Sequence, residues 1–298
     1  MTTGIARTRQ DIIFDAVVTV LAVLALLIAV YPLYFVLIAS FSDPQKIATG
    51  QVILFPRNVT FSAYSYILHE KNIWIGYGNT IFYTVCSTVF GLLVIIPGGY
   101  ALSRKDFVGR NLIMMLLTFT MFFSGGLIPT YIMVSKIGLL NTRAILIILG
   151  SVTVFNIIVT RTYFMSSIPD ELFEAASIDG CGNFRFFVSI VVPLSKTIIS
   201  VIALYVAVWQ WNSYFNALIY ATNRQLLPLQ IVMRELLIQG QSLASTEDLD
   251  AASIKYLMEI TQLIKYGVIV VATLPIILVY PFLQKYFEKG VMIGSVKG

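Results

Sequence analysis

The sequence predicts an all-α membrane protein with six transmembrane helices, and three observations carry that prediction. Hydrophobic residues fill 58% of the 298 positions and charged residues only 12%, with a mean hydropathy of +0.85. Soluble domains carry about 25% charged residues, so an ordinary soluble enzyme is excluded. The charges also leave long windows empty: none falls between Asp15 and Asp43, Lys71 and Arg104, Arg110 and Lys136, Arg143 and Arg161, Lys196 and Arg224, or Lys265 and Lys285. At about 1.5 Å per residue each window can cross a hydrocarbon core about 30 Å thick, the fourth (Ala144 to Thr160) at the lower limit.

The spans are placed at about 14–41, 78–103, 111–135, 144–164, 197–221 and 266–287, within one transmembrane domain covering 1–298. The first follows Arg7 and Arg9, as a signal peptide would. Its apolar run from Ala16 to Phe41 is too long for a signal core, however, and no small-x-small site follows, so it reads as a retained helix. Six spans put both termini on one side. Assigning that side to the cytoplasm places Arg104, Lys105 and Arg110, the densest cationic cluster, in the short loop between spans two and three.

Two outer segments are long, from about Ser42 to Tyr77 and Ala221 to Tyr266. The second holds a helix-compatible stretch, Leu226 to Gln239, and a polar, acidic stretch, Ser242 to Asp250, that reads as an exposed loop. A soluble partner docking there would give such segments a purpose.

Several functions lose their chemistry at this point. The sequence has no GxxxxGK[ST] phosphate loop. Ser124-Gly125-Gly126 lies in an apolar span without a lysine and reads as close helix packing or a break. His69 has no nearby Cys or His with which to build a metal site or a triad. Cys86 falls in span two and Cys181 in a loop assigned to the cytoplasm, so a disulfide is not expected. The net charge of +5 is scattered and forms no run of five, which gives no nucleic-acid surface.

The loop 165–196, between spans four and five, is the most informative segment. Ser167 can cap a helix whose first turn holds Pro169, Asp170 and Glu171, with the two carboxylates complementing the positive end of the helix dipole. That helix runs through Glu174, Ala175 and Ala176 and stops at Gly180. Asn183 can cap a second short helix carrying Phe184, Phe187, Val188 and Ile190, and Pro193 marks the entry to span five. The result is a helix-turn-helix outside the membrane with small, apolar residues and an exposed carboxylate.

Glu174-Ala175-Ala176-x3-Gly180-x9-Ile190-x-Val192-Pro193, with Asp179 before the glycine, resembles the EAA motif of permease subunits of ABC-type importers. Val192 stands where a leucine is usual. Phe55-Pro56-x-Asn58-x-Thr60-x3-Tyr64, Asn79-Thr80, Ser124 to Thr130 and the terminal Gly294-Ser295-Val296-Lys297-Gly298 extend the resemblance to the carbohydrate-uptake branch. Within it the sequence is similar to the LplC/YtcP-like subgroup and to the maltose-type second permease.

The resemblance implies a type I importer permease fold in the bacterial cytoplasmic (inner) membrane. It also implies a second homologous permease, an ATPase dimer that binds the ATP and Mg, an extracytoplasmic solute-binding protein, and an oligosaccharide cargo, acidic in some members (alginate or pectin fragments). No cofactor and no catalysis belong to this chain. Glu174 would meet an arginine of the ATPase, Ala175 and Ala176 would form a close-packing surface, and Gly180 the turn. Asp179 and Pro193 belong to the same coupling loop, and Gly294, Ser295, Val296, Lys297 and Gly298 would reach into the ATPase dimer.

Span five offers a candidate pathway face. Tyr205, Trp209, Asn212 and Asn216 follow a 4-3-4 spacing, and span four adds Thr153, Asn156 and Thr160. Aromatic planes and amides are the groups that stack on sugar rings and bond hydroxyls, but amides in membrane helices also bind neighbouring helices together, and both readings stand. An ion-coupled secondary transporter is the rival, and the near absence of charge within the spans argues against it. A membrane scaffold subunit is the third reading, and it leaves the EAA-type loop unexplained.

Overall fold

The computed structural model describes residues 8–243, 261 and 264–278, and every regular element among them is helical. Contacts divide the chain into two compact units, one comprising residues 1–70 and 235–273, the other 71–234 and 274–298.

In the first unit, α1 (Arg9–Ser40) begins with a capping box in which Thr8 and Asp11 satisfy each other's backbone amides. It buries only Ile38, Ala39 and Ser40. Leu21, Ile28 and Leu33 are among the many large apolar side chains it exposes, as a helix facing lipid does. After it come α2 (Pro44–Ala48), capped by Asp43 with Pro44 in the first turn, and α3 (Ser62–His69). The intervening segment is pinned to the end of α1: Asp43 N donates to Arg57 O at 3.0 Å, and Thr60 N to Phe41 O at 2.9 Å. Tyr64 stacks on Phe41 with ring centroids 5.0 Å apart.

The second unit is built on α4 (Lys71–Ser103), a helix of 33 residues. Beyond it lie α5 (Arg110–Phe122), α6 (Leu127–Lys136), α7 (Arg143–Ile148), α8 (Val154–Ser167), α9 (Asp170–Ile178) and α10 (Asn183–Phe186). A π-helical turn, Phe187–Val191, leads to α11 (Val192–Leu194), α12 (Lys196–Trp211), α13 (Phe215–Tyr220) and the start of α14 (Leu229–Leu243), whose residues from 235 on belong to the first unit. α4 packs closely on α8 and α12. A Cβ on Gly99 would lie 2.6 Å from Thr160 Cγ2, and one on Gly91 would lie 2.7 Å from the Ser151 carbonyl oxygen. Only hydrogen fits at either seam, the small-residue packing that membrane helices use.

Two helices, α1 and α4, are long and apolar enough to cross a membrane unaided. Two bent pairs pass the same test jointly, α5 with α6 at 113° and Asn183–Leu194 with α12 at 80°, and Ile264–Leu278 is a shorter apolar helix. Thus windows 111–135, 144–164 and 197–221, each read from the sequence as one helix, are interrupted. The first interruption falls at the Ser124-Gly125-Gly126 segment. The second, between α7 and α8, frees carbonyls that neighbouring elements capture. Gln210 Nε2 donates to Leu146 O at 3.1 Å, Ser87 Oγ to Ile147 O at 2.9 Å, and Asn216 Nδ2 to Leu149 O at 3.1 Å. A break in an apolar setting persists only when its backbone groups find such partners, and a charge-free window cannot reveal that they exist.

Candidate functional site

α9 to α11 form the expected helix-turn-helix, with its boundaries shifted. Ser167 is the last residue of α8, Pro169 holds the N-cap position of α9, and Asn183 is the first residue of α10 rather than its cap. Asp170 and Glu171 occupy the first turn of α9, where the helix dipole favours them. The helix ends in a Schellman motif: Gly180 N donates to Ser177 O at 3.0 Å and Cys181 N to Ala176 O at 2.9 Å. Gly180 sits at φ +75°, a conformation that glycine enters without steric cost.

Glu174, Ala175 and Asp179 are exposed on α9 and its cap, and Pro193 is exposed on α11. Ala176 is not: at 9% exposure it belongs to the core built from Leu102, Phe164, Phe186 and Val191. The close-packing role expected of both alanines is therefore open, on the outer face, to Ala175 alone. The two most prominent apolar groups of the segment are Phe184 at 81% exposure, which the sequence placed on the second short helix, and Ile178 at 87%, which it missed. Ile178 lies one turn beyond Glu174, so the i, i+4 rule was the signal that places them on one face. Residues 294–298, the expected ATPase-contacting tail, lie outside the described residues.

The five pathway candidates come together. Tyr205, Trp209, Asn212, Asn216 and Asn156 all line one open pocket of about 900 Å³, with Phe155, Tyr214 and Phe215 adding aromatic surface. Among the described residues no charged side chain lines it. Its polar groups are not equivalent. Asn216 spends an amide N–H on Leu149 O, and Asn212 spends one on Val208 O in its own helix at 2.8 Å. Asn156 is only 6% exposed, yet its side-chain amide has no hydrogen-bond partner among the described residues. Thr153, beside it, caps α8 by accepting from Asn156 N at 3.2 Å. Of these three amides only Asn216 joins two elements, so it alone is helix glue and pocket lining at once. Among the described residues no cluster of three His, Cys, Asp or Glu suits a metal ion.

Residues 77–293 match the family of binding-protein-dependent transport system inner membrane components. The chain belongs to that family. This permease is 40% identical over 271 residues to the protein LplC of Bacillus subtilis (strain 168), covering 91% of this chain and 90% of that one. It is 37% identical to YtcP of the same organism, a polygalacturonan/rhamnogalacturonan transport system permease, covering 96% and 99%. In three dimensions it resembles a chain from the crystal structure of a bacterial ABC transporter involved in the import of the acidic polysaccharide alginate. The TM-score is 0.83 at 34% identity, over 94% of this chain and 99% of the other. The two share the type I importer permease fold.

Proposed function

We propose that this permease is one of two membrane subunits of an ATP-driven oligosaccharide importer in the bacterial cytoplasmic membrane. It crosses the membrane six times with both termini in the cytoplasm and forms half of the translocation pathway. A separate ATPase dimer binds ATP and Mg and docks on the helix-turn-helix, a homologous permease supplies the other half, and a solute-binding protein delivers the sugar from outside. The observation that carries the reading is the exposed face of α9, where Glu174, Ala175 and Ile178 stand together on a helix anchored from behind by Ala176. A carboxylate beside an apolar anchor suits a groove on a soluble partner.

The relatives supply the cargo class, since YtcP is a permease for polygalacturonan/rhamnogalacturonan and the structural neighbour serves alginate import. The pocket suits ring stacking on Trp209 and Tyr205 and hydroxyl recognition by the unpaired amide of Asn156. Among the described residues it holds no cation to offset a carboxylate, and desolvating an unpaired charge is costly. This half therefore contacts the neutral faces of the sugar, and any uronate charge is met by water or by the other permease.

The test is affinity purification of the tagged chain from gently solubilised membranes, with uptake measured in parallel. Recovery of a P-loop ATPase and a second permease, with uptake that stops on ATP depletion, is the expected result. Recovery of the chain alone, with uptake that follows an ion gradient, would make it a secondary transporter.

A further inference from the structure

α9 is joined through the chain to α8 and α10, yet it is also tied by side chains to the far end of α4. The Arg104 guanidinium lies over the Phe173 ring, 3.7 Å from its centroid, and its Nε pairs with Asp106 at 2.9 Å. The Arg104 side chain is only 17% exposed, so this cation–π contact is largely desolvated, the condition under which such contacts are strongest. Phe173 in turn meets Phe186 edge to face, with centroids 5.2 Å apart. Lys105 Nζ reaches Asp170 at 2.7 Å. Arg110 donates to the Arg104 carbonyl at 2.9 Å, which braces the turn after α4.

We propose that Arg104 is the positioning residue that makes α9 move with α4, a joint through which a displacement of the helix-turn-helix is delivered to the pathway. The inference rests on the coupling role given to α9 above. α4 is suited to the task, because its 33 residues continue as one helix about 50 Å long, unbroken even at its interior Pro97. Its middle abuts α12 at Gly91 and Val206, and Val206 belongs to the pocket wall. Its first turns hold the segment 225–229, with Asn79 Nδ2 donating to Gln225 O at 2.7 Å and Leu229 N donating to Thr80 Oγ1 at 2.9 Å. A tilt applied at Arg104 thus reaches the pocket and the 225–229 segment as one rigid-body motion. The Lys105–Asp170 pair cannot replace the joint, because its side chains are 77% and 46% exposed and exposed pairs hold weakly. Hydrogen bonding to Arg104 lowers the Asp106 carboxyl below its usual range, and bonding to Asp170 raises Lys105 above its own.

The experiment uses the complete transporter in proteoliposomes and reads the ratio of ATPase activity with and without sugar-loaded binding protein. Arg104→Ala is expected to lower that ratio about fivefold or more while basal ATPase and complex recovery persist. Arg104→Lys, which returns a cation over the ring, restores part of it. Phe173→Leu lowers the ratio by a similar factor, and the double variant falls no further than either single one, as expected when both act through one contact. A merely structural role would lower recovery and leave the ratio alone. A ratio in Arg104→Ala within about twofold of the parent, or additive losses in the double variant, overturns the proposal. Should Arg104→Ala not assemble, Phe173→Leu and Arg104→Lys carry the same comparison. A parent complex whose ATPase ignores the loaded binding protein removes the functional reading, and the joint with it.

Discussion

Gly150 shows how closely a single residue can control the pocket. It sits at φ +93°, and a Cβ there would lie 2.9 Å from Trp209 Nε1. Alanine would meet both a backbone conformation costing about 1–3 kcal/mol and an indole it must push aside. Trp209 is 62% exposed, so the ring has room to swing. Gly150→Ala is therefore expected to leave the protein assembled, shift the tryptophan emission and lower sugar uptake severalfold. Unchanged emission and uptake would show that the ring's position does not matter. The 4-3-4 spacing in the sequence named Trp209 and its neighbours, because helical periodicity fixes which side chains share a face. It could not name Gly150, which meets Trp209 only through the fold.

At the scale of elements, α4 is a clamp as well as a rod. Asn79 Nδ2 donates to the carbonyls of Gln225 and Leu227, at 2.7 and 3.1 Å, and the Tyr83 hydroxyl to that of Leu226 at 2.9 Å. Asn79 and Leu227 are buried while Gln225 is exposed, so removing the amide leaves one buried carbonyl unpaired, at a cost of about 1–3 kcal/mol. Asn79→Leu is expected to lower the thermal midpoint in detergent and to open the 224–229 segment to protease. An unaltered midpoint and cleavage pattern would mean that the segment is held by other contacts. The sequence offered Asn79-Thr80 only as part of a family resemblance, since a polar pair in an apolar window does not disclose a partner about 150 positions away. The break at 123–126 falls on Ser124-Gly125-Gly126, which the sequence offered as close packing or a break, but those at 149–153 and 212–214 were hard to read from charge-free windows, because hydropathy averages over a break whose carbonyls are satisfied by other helices.

For the whole molecule, the decisive question is whether the helix-turn-helix transmits the state of an ATPase. Glu174 is exposed and makes no hydrogen bond or ion pair among the described residues, so its carboxylate is available to a partner. Glu174→Lys reverses that charge without disturbing the core behind α9. It is expected to leave insertion and folding intact while transport and sugar-stimulated ATPase activity fall at least about tenfold, the loss associated with breaking a paired interfacial charge. Normal coupling in that variant would assign the ionic contact elsewhere.

Composition and charge spacing alone determined that the chain is a helical membrane protein, because lipid admits few charges and the windows that lack them are long enough to span it. The EAA-type spacing determined the kind of permease, since helix start, turn and stop are local chemistry readable from adjacent residues. Tertiary structure decided what depends on contacts between distant positions: that Ala176 faces inward while Ile178 and Phe184 face outward, that Asn156 keeps its amide unpaired in a charge-free pocket, and that Arg104 reaches Phe173. Such pairings are set by how helices pack, and packing leaves no periodic trace in the sequence.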